Sequence, residues 1–98
     1  MNPSPFKGLR KDCMAIAYWY DREARARLDI LGLDKPDEYL LVEGAGKIVY
    51  QRLKRYGKEK LVEMLKEYLV SEKFEEHPML RVALDAHTLV SLQTNKLK

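Results

Sequence analysis

At 98 residues the chain is one domain by length, and its 46% hydrophobic and 34% charged composition is a globular mix, far from the signature of disorder. Its one cysteine, Cys13, excludes an intramolecular disulfide and a cysteine-based metal cage. No apolar run approaches the ~20 residues of a membrane span, so a soluble protein of a reducing, cytoplasmic compartment, with no membrane partner, is the expectation. The formal net charge of +3 is mild, but its placement is not even. Residues 1–57 hold eleven Lys/Arg against eight Asp/Glu, whereas residues 58–98 hold seven of each. Such polarity suits either head-to-tail self-association or a plainly solvated surface.

Met1–Gly8, with two prolines, reads as a loose arm, and residues 9–98 as a helical domain. The first helix is expected over Leu9–Leu31. Cys13, Ile16, Ala17, Tyr20, Ala24, Leu28 and Leu31 recur at spacings of three and four, as one buried stripe requires. Asp21–Arg25 and Glu23–Arg27 are placed on its outer face as i,i+4 pairs, worth tenths of a kcal/mol each. Gly32 supplies the stop. Tyr18 and Trp19 cannot both join the face that Ile16, Ala17 and Tyr20 share, so Met14, Tyr18 and Trp19 are a candidate protein interface.

Asp34-Lys35-Pro36-Asp37 is a turn with capping residues, feeding a second helix over Pro36–Tyr56. Val42, Ala45, Val49, Leu53 and Tyr56 form its inner stripe. Gly44 and Gly46 each cost a helix about 1 kcal/mol against alanine, which points to close packing or a kink. After Gly57 a third helix, Lys58–Glu72, buries Leu61, Leu65, Tyr68 and Leu69. Ser71–His77 is a polar connector. Pro78 opens a fourth helix to Thr94, with Val82, Ala83, Ala86, Leu89 and Val90 inward. Nothing alternates with period two for long enough to make a strand. The fold class is all-α, a single-domain four-helix bundle or orthogonal helical array.

Chemistry-bearing motifs are sparse. Glu43-Gly44-Ala45-Gly46-Lys47 is no phosphate loop, because Leu41 stands where the first glycine belongs and Ile48 where a hydroxyl must reach magnesium. His77 and His87 are the only histidines, too few for zinc without distant help, so no metal or cofactor is expected. His77 is expected to help start the fourth helix, and His87 to sit half-buried or near Asp85. Cys13 lies on an apolar stripe, where a thiol is inert. Neither Cys13 nor Ser91 has the local context that activates a nucleophile, and adjacent Glu75 and Glu76 point apart. No enzyme is expected.

The strongest signal is cationic. Between Gly46 and Lys60 six cations, Lys47, Arg52, Lys54, Arg55, Lys58 and Lys60, face one acid, Glu59. Lys47, Gln51, Lys54, Arg55 and Lys58 share one face across the Gly57 break. Lysine and arginine contact phosphates, with Gln51 or Arg55 near base edges and Tyr50 or Tyr56 against sugar or base. The alternative is a solvated face with tyrosines at the core edge. The segment is not a standard helix-turn-helix, since Lys58 and Glu63 stand where apolar residues belong.

Two segments add a family likeness. Leu31-Gly32-Leu33-Asp34-Lys35-Pro36-Asp37 resembles the inter-helix turn of one branch of the phage small terminase subunits. His77-Pro78-Met79-Leu80-Arg81-Val82-Ala83 is similar to the proline-led start of that branch's last helix. Where that family closes on Gly-Leu-Thr-Pro, this chain has Gln93-Thr94-Asn95-Lys96. The resemblance implies ring-like homo-oligomers, viral DNA binding and coupling to a separate ATPase subunit. Two readings therefore stand together. The first is a non-enzymatic, self-associating nucleic-acid-binding protein, DNA before RNA, terminase-like in setting. The second is a helical interaction module, either a subunit of a larger nucleoprotein complex or an inhibitor of a nucleic-acid-binding enzyme.

Overall fold

Helix breaks, rather than helix lengths, decide this architecture. The computed structural model describes residues 7–37 and 40–97, and the side chains of 11–37 and 40–92. Six α-helices and one 3-10 turn make up these residues: α1 (Lys7–Leu31), η1 (Leu40–Val42), α2 (Gly46–Tyr56), α3 (Lys58–Leu69), α4 (Glu72–Glu76), α5 (Leu80–Ala83) and α6 (Ala86–Leu97). The fold is all-α, and no strand occurs among the described residues. Residues 1–6 of the expected arm lie outside the described residues, while Lys7 and Gly8 already belong to α1.

The long helix follows its sequence pattern. Cys13, Ile16, Tyr20, Ala24 and Leu28 are buried along one stripe, with Ala17 and Leu31 partly buried beside it. It ends in a two-bond cap: the Leu33 amide donates to the Leu28 carbonyl at 2.9 Å and Gly32 to Asp29 at 3.1 Å. The Asp21–Arg25 pair, however, is not on an outer face. Asp21 is only 7% exposed, and Arg25 Nε donates to both its carboxylate oxygens at 3.3 and 3.1 Å. The same guanidinium continues to the Pro36 carbonyl at 2.7 Å and to the Asp37 carbonyl, tying the turn after α1 back onto the helix. Glu23 and Arg27 form no ion pair, and Arg27 Nε is buried without a hydrogen-bond partner among the described residues.

Three further expectations are corrected by breaks. The second helix does not run from Pro36. Gly44 adopts φ +70°, so Leu40–Val42 is a separate 3-10 turn and α2 starts at Gly46. The third helix stops at Leu69 instead of Glu72. The polar connector after it contains α4, capped where Ser71 Oγ accepts from the Phe74 amide at 3.4 Å, with Phe74 fully buried. Phe74 meets Tyr68 edge to face, with centroids 6.1 Å apart. The expected fourth helix is two. Asp85 Oδ2 accepts from the His87 amide at 3.1 Å, restarting the chain as α6. That restart shifts the phase: Leu84, Thr88, Leu89 and Leu92 point inward, while Ala86 and Val90 are exposed. His77 follows α4 as its C-cap, and His87 is exposed with its backbone, not its ring, on Asp85.

Two buried tyrosines join these pieces. Tyr20 of α1 donates to the Pro78 carbonyl at 2.6 Å, and Tyr68 of α3 donates to the His77 carbonyl. The extended link between α4 and α5 is thus held from both sides. Leu61, Leu65, Leu80, Leu84 and Leu89 belong to the same core cluster, all fully buried. Principal extents of 44 × 35 × 17 Å describe a slab. With helices about 10–12 Å across, its thickness leaves each helix an exposed flank.

Candidate nucleic-acid interface

The exposed flank of α2 is built by its own periodicity. Val49 and Leu53 are buried on the inner side, with Ile48, Tyr50 and Tyr56 partly buried against the core. At about 100° per residue, this leaves Lys47, Gln51 and Lys54 within about 60° of one another on the outer side. All three are exposed, as is Arg55 about a quarter turn on. Lys47 and Lys54 stand about 10.5 Å apart along the axis. No acid occurs anywhere in Gly46–Tyr56. Lys47, Lys54, Arg55 and Lys60 form no ion pair among the described residues; Lys58 approaches Asp12 at 3.8 Å, with both side chains about half exposed.

The corner is a single residue. Gly57, at φ +87° and ψ +159°, separates α2 from α3, and its amide donates to the Leu53 carbonyl at 2.9 Å. Lys58 and Lys60 are exposed immediately after it, in the first turn of α3.

Three members of the expected set have other employment. Arg52 lies on the inner flank of α2, partly buried, and its Nε donates to the Leu84 carbonyl at 2.9 Å, linking α2 to the turn between α5 and α6. That bond turns its Nε toward the core side and away from the exposed line. Tyr50 and Tyr56 are half-covered as well. Lys54 Nζ sits 5.9 Å from the Tyr50 ring centroid, and Arg55 Cζ sits 5.7 Å from that of Tyr56. These contacts hold the long cationic side chains close to the helix at little cost.

On α1, Met14 and Tyr18 are 48% and 49% exposed, one turn apart. Trp19 instead packs at the core edge, beside Ala15, Val62 and the Lys58 stem in a shallow cleft. Tyr18 is therefore the outward member of the Tyr18/Trp19 pair.

Other chemistry is thin. Burial, reinforced by the Asp12 carboxylate, pushes the Cys13 thiol up and keeps it protonated. Burial likewise raises Tyr20, and it pushes Tyr68 up to about 12, helped by the Glu76 charge. Among the described residues no three His, Cys, Asp or Glu side chains cluster as metal ligands, and no helix is long and apolar enough to cross a membrane. No protein-family model, curated protein or solved structure matches the chain.

Proposed function

We propose that this protein is a small, non-catalytic helical nucleic-acid-binding protein, DNA before RNA, whose contact surface is the outer face of α2 and the Gly57 corner. One observation carries the reading: α2 presents Lys47, Gln51 and Lys54 in a line with Arg55 beside them, and among the described residues no acidic side chain pairs with them. Exposed cations without acidic partners lose little on approaching phosphates and gain by releasing the counterions condensed there. Arg52 supports the surface from below instead of joining it. The likeness of residues 31–37 and 77–83 to small terminase subunits suggests a setting, a self-associating DNA-recognition subunit beside a separate motor.

Binding of a labelled 20-base-pair duplex, followed by fluorescence anisotropy across salt concentrations, tests the proposal. Four phosphate contacts predict a log–log slope of about −3.6, so affinity drops about 150-fold between 50 and 200 mM salt. The triple substitution Lys47→Ala/Lys54→Ala/Arg55→Ala should bring the slope near −1 while circular dichroism stays unchanged. Affinity indifferent to both salt and the triple substitution refutes the reading.

The exposed Met14 and Tyr18 favour a second reading, a protein-interaction module docking through α1. Aromatic anchors of this kind dominate interfaces. A partner retained after nuclease treatment and lost in Met14→Ser/Tyr18→Ser would favour it over nucleic acid.

A further inference from the structure

We infer that the α2 surface follows the phosphates of a double helix and is not a stacking platform for single-stranded bases; this rests on the nucleic-acid reading above and narrows its ligand to a duplex read without base code. Single-strand binders draw on aromatic faces open to successive bases. The aromatic rings at this surface are Tyr50 and Tyr56, both partly buried against the core. Each has a cation of the same surface over it, Lys54 at 5.9 Å and Arg55 at 5.7 Å. A base reaching either ring by that face must first displace the cation meant to hold its phosphate.

Base-edge readout is similarly thin. The planar guanidinium fork is the geometry best matched to guanine. Arg52 spends its Nε on the Leu84 carbonyl, and Arg55 lies across Tyr56. Gln51 and the point-charge ammoniums of Lys47 and Lys54 are the base-reading groups left on the exposed line. What the helix does offer is a rigid row of charge, Lys47 and Lys54 about 10.5 Å apart. A fixed row suits a fixed lattice, and duplex DNA carries one charge per about 1.7 Å of axis. A single strand offers lower charge density, releases fewer counterions per contact and must also be straightened.

Three probes decide the matter: two 20-base-pair duplexes of unrelated sequence and a 20-nucleotide oligothymidylate, each titrated with the intact protein and with the Lys47/Lys54/Arg55 triple-alanine variant at about 100 mM salt. The expected result is affinities for the two duplexes within about threefold, and oligothymidylate at least about tenfold weaker. Oligothymidylate bound as tightly as duplex overturns the inference, and so does a tenfold preference between the duplexes. The two failures are distinguishable. If binding is salt-sensitive and lost in the triple variant but the single strand wins, only this inference falls. If no probe binds, or the triple variant binds all three unchanged, the nucleic-acid reading falls with it.

Discussion

Arg25 shows how much one side chain holds in a domain this thin. Its Nε faces the Asp21 carboxylate and its two terminal nitrogens reach the Pro36 and Asp37 carbonyls, so one planar fork satisfies a buried acid and closes the loop after α1. Arg25→Ala leaves Asp21, 7% exposed, without its counter-charge and frees the turn. The loss should be about 2–3 kcal/mol, which lowers the melting temperature by about 10 °C or more in a domain of this size. Arg25→Lys should recover less than half of that. A lone ammonium can neutralise Asp21 but cannot also span two carbonyls in the fork's geometry. Thermal melts of the two variants decide it; an Arg25→Lys protein as stable as the parent would reduce the network to a simple charge pair. The i,i+4 spacing alone valued Asp21–Arg25 at tenths of a kcal/mol, because spacing reports that two side chains meet and not what lies above them. The third and fourth partners, backbone carbonyls of residues 36 and 37, leave no mark in the sequence.

Breaks between elements depend on backbone sign, which a hydrophobic pattern does not carry. The 25-residue α1 was legible from Leu9 to Leu31, though not in its first two residues, since a long run of period 3.6 averages away single exceptions. The outer face of α2 was legible for the same reason, and Lys47, Gln51, Lys54 and Arg55 all lie where the period puts them. Gly44 was ambiguous between a packed helical glycine and a break, and only its φ of +70° tells which. Asp85 and Ser71 did have a readable cap signal, but each stood inside a run whose neighbours continue a plausible stripe. Phe74 was hidden by four charged neighbours in Glu72–Glu76, although one aromatic residue among acids is itself a sign of an inward anchor. Two glycines at the ends of α2 give opposite predictions. At Gly57 no atom lies within 4 Å of an added Cβ, so Gly57→Ala meets no clash, only the strain of φ +87° with ψ +159°. That region is nearly glycine-only and should cost about 1–3 kcal/mol. Gly46 is equally open, is the first residue of α2, and has no positive φ. Gly46→Ala should stabilise by about 0.4–1 kcal/mol, chiefly through lower unfolded-state entropy. Urea unfolding of the pair checks the signs, and two substitutions moving stability in the same direction would contradict the assigned geometry.

Across the whole molecule, the early and late parts of the chain meet at the His77–Pro78 link, which Tyr20 holds from α1 and Tyr68 from α3. Both hydroxyls are buried donors, so both must stay protonated for the link to hold. Burial raises both groups above their ordinary value of 10.0, Tyr68 to about 12 and Tyr20 further. In the unfolded chain the same tyrosines titrate near their ordinary value. Their contribution is therefore fully present below about pH 10 and is lost as pH rises through the folded values, the unfolded state releasing protons that the folded state keeps. Above about pH 10 stability should therefore fall as pH rises, with both buried tyrosines contributing to the fall. Tyrosinate absorbance should rise together with loss of helical dichroism, because the last two phenols ionise only when the core opens. Tyr20→Phe and Tyr68→Phe should each be less stable at pH 7 by about 1–2 kcal/mol, from a buried carbonyl left unmet, yet each should show a shallower alkaline fall. A phenylalanine variant that loses stability at pH 7 and keeps the full alkaline slope would show that its hydroxyl is not a buried proton store, and the two-sided hold on His77–Pro78 would have to be abandoned.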